Sequence, residues 1–131
     1  MRLSAILVAL TLAACTASEP VPEPVPPRAD ADGFLYFNDA ALYRSAMRRC
    51  AARLPDYADE VAEAERVFDE ARARYAGRGG RPDRADLASL YARSDRELAA
   101  DLGRQSDAEV AAACTRLADY HRRNTAAYAS S

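Results

Sequence analysis

The sequence predicts an all-α fold: a small antiparallel four-helix bundle with one disulfide, preceded by a signal peptide and a proline-rich disordered linker. Three observations predict it. From Asn38 onward the apolar residues recur at steps of three and four, the signature of amphipathic helices. Proline and glycine divide that pattern into four segments, and no segment of useful length alternates apolar with polar as a strand would. Four amphipathic helices with short connections bury their stripes most simply by running up, down, up and down around one core.

The first segment opens at Asn38, a residue suited to capping, and carries Ala40, Tyr43, Met47, Cys50 and Leu54 on one stripe. Pro55 ends it or opens the next helix. Ahead of it, Phe34, Tyr36 and Phe37 either fold over the bundle end or form a docking patch. The second segment has the clearest pattern: Tyr57, Val61, Ala64, Phe68, Ala71 and Tyr75 alternate steps of four and three, and charged residues fill the other sides. Gly77, Gly79, Gly80 and Pro82 break it. The third takes Asp83 as its cap, turns Leu87, Leu90, Tyr91, Leu98 and Leu102 inward, and stops at Gly103 as the residue after the C-cap. The fourth begins with Ser106-Asp-Ala-Glu109, a capping box, and carries Val110, Cys114, Leu117, His121 and Tyr128 inward.

Ahead of these helices stand Arg2, an apolar run from Leu3 to Leu12, and then Ala13, Ala14 and Cys15. A short charged start, an apolar stretch too short to span a bilayer and a small-residue exit read as a secretory signal. Leu12-Ala13-Ala14-Cys15 resembles the lipobox of bacterial lipoproteins. That resemblance implies removal of residues 1–14, a thioether-linked diacylglycerol on Cys15 and acylation of the new amino terminus with a chain such as palmitate. In that family an aspartate after the cysteine commonly marks inner-membrane retention; here the residue is Thr16, which implies the outer membrane, periplasmic face. Several acyl chains, each buried methylene worth about 0.8 kcal/mol, give lasting attachment where one chain does not. Residues 15–33, with Pro20, Pro22, Pro24, Pro26 and Pro27, then form a spacer, and residues 34–131 form the bundle domain. At about 3.1 Å per residue the seventeen residues from Ala17 to Gly33 reach roughly 50 Å. With Cys15 taken by lipid, Cys50 and Cys114 remain as a pair on inward stripes in an oxidising compartment, where a disulfide is expected.

Composition narrows the function. Net charge is −2, or about −3 once Arg2 leaves with the signal, so no global basic field invites nucleic acid. Every basic residue is arginine, which excludes Schiff-base and lysine-base chemistry. His121 is the only histidine, and a lone histidine on an apolar stripe is more often a core or rim residue than a base. No nucleophile motif surrounds it; the residue three before it is Ala118, not the glutamate of a bundle metal site; no haem or other cofactor motif is present. Asp59 with Glu63 and Glu65 with Asp69 share helix faces, but the pairs Glu63–Arg66, Asp69–Arg72 and Glu70–Arg74 read them as a solvated surface. Arg48-Arg49 and Arg122-Arg123 are suited to anionic lipid headgroups or glycan phosphates, or are simply exposed. The one concentrated basic patch is the loop bearing Arg78, Arg81 and Arg84, suited to anionic lipid headgroups or glycan phosphates, or simply exposed.

The expected function is a non-enzymatic, lipid-anchored binding or accessory module for another envelope protein, held to the membrane through its lipid. Two other classes stand behind it. An acid-responsive periplasmic holdase would shed acidic charge as pH falls, an argument by fold analogy. A cell-wall hydrolase would use His121 as its base.

Overall fold

The computed structural model describes residues 31–131, and among them the chain is helical with no strand. The helices are α1 (Ala31–Arg53), α2 (Ala58–Gly77), α3 (Ala85–Gly103) and α4 (Asp107–Ala129), with a 3₁₀ turn at Pro55–Tyr57. Pro55 lacks the amide that would continue α1 and suits the first position of that turn. The signal sequence, Leu12, Ala13, Ala14, Cys15 and the linker as far as residue 30 lie outside the described residues.

α1 is the hub. Side-chain contacts pair Tyr43 with Glu60 and Phe37 with Tyr75, so α2 runs antiparallel to it. Cys50 meets Cys114 and Asp39 meets His121, so α4 is antiparallel as well. Asn38 meets Tyr91 and Arg49 meets Asp95, so α3 runs parallel to α1. The directions are those expected, but the helices are not four equal corners: α2 and α4 pack along α1, and α3 leans on α1 with a smaller contact. Tyr36, Phe37, Ala40, Ala41, Tyr43, Ala46, Met47 and Cys50 are all buried, which covers most of the circumference of α1 rather than one stripe.

Several expected boundaries move, each for a physical reason. α1 begins seven residues before Asn38 and three residues inside the segment assigned to the linker. Tyr36 and Phe37 are each 2 % exposed, and Phe37 stacks on Tyr75 at 5.3 Å and tilts against Phe68 at 5.7 Å. Burying those rings outweighs the capping preference of Asn38, whose side-chain oxygen instead accepts from the Tyr91 hydroxyl at 3.1 Å. They are core, then, and neither a lid over the bundle end nor a docking patch. Asp83 does not cap α3: its carboxylate is held by Arg72 at 2.7 and 2.8 Å, and Arg84 occupies the cap position without a side-chain capping bond. α3 runs through Gly103 and is capped by Arg104. Leu90, expected inward, is 40 % exposed, because α3 has a partner on one side only.

α2 ends as its glycines require. Gly79 takes a φ of +83°, and the amides of Gly79 and Gly80 donate to the carbonyls of Ala76 and Tyr75 at 3.0 and 2.9 Å, closing the last turn. Gly80 lies against the face of Tyr75, where any Cβ would stand 2.2 Å from the ring.

The capping box of α4 forms as read: the Glu109 amide donates to Ser106 Oγ at 3.3 Å and the Ser106 amide to Glu109 Oε2 at 2.7 Å. Ser106→Ala is expected to destabilise the domain by about 1 kcal/mol, read as a lower urea midpoint at unchanged slope.

Cys50 and Cys114 form the expected disulfide, with Cα atoms 5.8 Å apart and both residues fully buried. It joins the hub to α4 across 64 positions of sequence. α3 is fastened differently. Arg49 Nε donates to Asp95 Oδ1 at 2.9 Å, Ser45 Oγ donates to the same oxygen at 2.7 Å, and Arg53 reaches the Leu102 carbonyl at 3.0 Å. The Arg49 bonds hold the Asp95 carboxyl down at about 2, against the opposing effect of its partial burial and with help from Ser45. A depressed carboxylate stabilises the fold above its unfolded value, 3.8, and that contribution is lost as pH falls toward 2. Allowing for the partial exposure of the pair, about 1 to 2 kcal/mol is at stake. Asp95→Asn should therefore lower stability at neutral pH, with the difference from wild type shrinking between pH 4 and pH 2 in urea titrations.

Candidate functional site

α2 and α4 both lie antiparallel to α1, so they run parallel to each other. They touch only sparingly, which leaves a groove of about 540 Å³ above the hub. Its floor is Tyr36 and Tyr43 of α1, and its walls include Val67 of α2 with Thr125, Ala126 and Ala129 of α4. Small alanines on α4 leave the opening where larger residues would close it. The volume falls in the range of small-molecule and side-chain pockets.

An arginine bridges α2 and α4 towards each end of the groove. At one end Arg122 grips Glu60, which also accepts the Tyr43 hydroxyl at 2.7 Å. Burial of Glu60 works to raise its pKa, but the bonds from Arg122 and Tyr43 outweigh it and the carboxyl is held below its usual value. Burial first, and then the bond to Glu60, pushes the Tyr43 phenol well above its ordinary value, so it remains a donor. At the other end Arg74 donates to the carbonyls of Tyr128 at 3.1 Å and Ala129 at 3.3 and 3.4 Å. A guanidinium at a helix C-terminus satisfies free carbonyls and complements the helix dipole. The same guanidinium lies 4.9 Å from the centre of the Tyr36 ring.

Along the α2 rim, Arg66 is spent on Glu63 at 2.7 Å and Glu70 at 3.2 Å. Glu63–Arg66 and Glu70–Arg74 therefore pair as the sequence suggests, whereas Arg72 goes to Asp83 rather than to Asp69. On the α4 rim Arg122 also reaches Asp119 at 3.3 Å, while Arg123 makes no ion pair among the described residues. Arg49 and Arg122, read from the sequence as surface charges, are interhelix fasteners.

Behind the Tyr43 floor lies a polar pair that the sequence shows only in half. His121, 5 % exposed, shares a hydrogen bond of 3.2 Å between its Nδ1 and Oδ1 of Asp39, itself 7 % exposed. Tyr43 stacks on the imidazole at 5.7 Å and Tyr120 meets it edge-on at 5.1 Å. Asp39 Oδ2 has no hydrogen-bond partner among the described residues. A carboxylate on Nδ1 orients an imidazole as it does in acid–base catalysis, but no hydroxyl or thiol is hydrogen-bonded to the ring among the described residues. Thr125, one turn away, gives its hydroxyl to the His121 carbonyl at 2.7 Å. No group of three metal-ligating side chains occurs among the described residues.

The remaining sequence candidates are separate. Arg78, Arg81 and Arg84 are exposed in the α2–α3 connection, where Arg84 pairs with Asp86 and Asp83 with Arg72, so part of the patch is neutralised internally. No described helix is long and apolar enough to cross a membrane. Asp39 was the residue sequence reasoning missed; its one signal is an acid standing among Tyr36, Ala40 and Tyr43 on a buried face. Compared with protein-family models, with curated proteins and with solved structures, the chain matches none.

Proposed function

We propose that this protein is a lipid-anchored, non-enzymatic binding module of the bacterial envelope. In this reading Cys15 carries the lipid, the proline-rich segment spaces the domain from the membrane, and the groove between α2 and α4 receives a segment of another envelope protein. The observation that carries the reading is the groove itself: an apolar trough over two tyrosine rings with charged rims, which is the anatomy of a side-chain anchor site. Arg123, without an ion-pair partner among the described residues, suits an occupant with an acidic residue beside its apolar anchor. The Leu12-Ala13-Ala14-Cys15 run supports the lipid anchor, and the Cys50–Cys114 bridge supports an oxidising compartment.

The binding half is tested by a photo-crosslinking residue at Ala126 of the full chain in intact envelopes, with Ala100 on α3 as the control position. One envelope protein should be captured from position 126 and not from 100, and the adduct should vanish when Arg123→Glu and Ala129→Trp are added. No adduct, or one indifferent to both changes, refutes the groove as a binding site. The anchoring half is tested separately by labelling with radioactive palmitate: label should enter the wild type and not Cys15→Ser, and an unlabelled wild type overturns it.

A further inference from the structure

On the opposite side of the hub from the α2–α4 groove, α1 and α3 frame a second cleft of about 400 Å³. Its α1 wall carries Arg44, Arg48 and Arg49, and its α3 wall carries Tyr91 and Asp95. The three guanidiniums are not equally engaged. Arg49 is spent on Asp95, and Arg48 donates to Glu65 Oε1 at 2.5 Å. Arg44 stands 3.9 Å from the other oxygen of Glu65 and donates no hydrogen bond among the described residues. Its guanidinium carbon instead lies 3.4 Å over the centre of the Phe68 ring.

Stacking engages the flat face of a guanidinium and leaves its in-plane N–H donors unspent. Arg44 is therefore a held, partly desolvated cation with free donors. Its proton affinity is lowered first by burial and then by Arg48, with Arg72 acting the same way and Glu65 and Asp69 only offsetting them in part. The lining of the cleft itself holds three guanidiniums, Arg44, Arg48 and Arg49, and one carboxylate, Asp95, while Glu65 and Asp69 act on Arg44 from outside it. An anion entering here relieves the repulsion between Arg44 and Arg48 and accepts the unused donors. A tetrahedral oxyanion suits a guanidinium fork in a pocket of this size.

We propose that the α1–α3 cleft binds a phosphoryl group through Arg44, with Arg48 as the second cation. The group is either a free phosphate species or the headgroup phosphate of a lipid. This site is independent of the groove and of the lipid anchor, and its failure would leave both untouched.

The test follows the arginine Nε–H resonances of the full chain carrying Cys15→Ser, which removes the lipid attachment point, during titration with inorganic phosphate, and, in parallel, its sedimentation with phosphatidylcholine vesicles with and without phosphatidic acid. Saturable shifts confined to Arg44 and Arg48 identify the soluble source; sedimentation only with phosphatidic acid identifies the headgroup. Arg44→Gln should weaken whichever binding occurs by about tenfold or more, the value of one charge-assisted contact. Because Arg44 also packs on Phe68, Ala92→Glu is the second variant: it sits exposed at the cleft mouth on α3 and adds a negative charge without altering α1. It should weaken binding comparably while the thermal midpoint stays near wild type. No saturable response to either probe, or a response unchanged in both variants, overturns the proposal.

Discussion

Replacing Cys50 and Cys114 together by alanine is expected to lower the stability of the domain by about 4 kcal/mol, the loop-entropy value for a closure of this length. The bridge spans 64 positions and ties the hub helix to α4, so its loss releases the covalent restraint on a long loop of the unfolded chain. A domain of this size has on the order of 5 to 15 kcal/mol in total. At roughly 4 to 8 °C per kcal/mol, the thermal midpoint should fall by about 15 to 30 °C. Circular dichroism melts of wild type, wild type with reductant and the double variant would show this, the last two agreeing. A fall equivalent to less than about 1 kcal/mol would mean that apolar packing between α1 and α4 suffices without the covalent link.

His121→Leu should be the next most damaging change, by about 1 to 3 kcal/mol, because it removes the hydrogen-bond partner of a carboxyl group that is 7 % exposed and already has one oxygen without a partner. The ring's removal is not itself the main loss, since leucine packs acceptably under Tyr43 and Tyr120. The unpaired buried carboxyl group is. The double variant Asp39→Leu with His121→Leu should therefore recover most of the lost stability, because a well-packed apolar pair often equals a buried polar one. Urea unfolding of the two singles and the double, read as a mutant cycle, measures the coupling. Additive effects would show that the 3.2 Å contact carries no energy of its own.

What could be read in advance follows from where the determining interactions lie. α2 was legible because Ala64, Phe68, Ala71 and Tyr75 meet one neighbour on one face, so local periodicity and tertiary burial coincide. The capping box at Ser106 was legible because its two bonds close within four residues. Asn38 and Asp83 misled for the opposite reason: each has capping chemistry, but a distant group, Tyr91 or Arg72, holds its side chain. From Asn38 onward α1 reads as a one-stripe helix because two of its other three buried positions there are Ala41 and Ala46, a residue type equally at home on a surface. The disulfide was legible from two cysteines on inward stripes. The groove was not, since it is the gap left where α2 and α4 are both drawn to the hub and neither to the other, a property of three helices that no single stretch encodes. The Asp39–His121 pair was half legible, its histidine conspicuous and its acid, 82 residues away, hidden among many.

The helix on which every other one rests is also the first described element in the chain. A mechanical load arriving from the amino-terminal side is therefore delivered straight into the interior, along an axis flanked by α2 and α4, and must drag Tyr36 and Phe37 past their neighbours rather than unzip a peripheral turn. Near the far end of that axis the Cys50–Cys114 bridge acts as a backstop that sliding alone cannot pass. A domain built this way resists a pull on its amino-terminal side far better than one loaded through an outer helix such as α3.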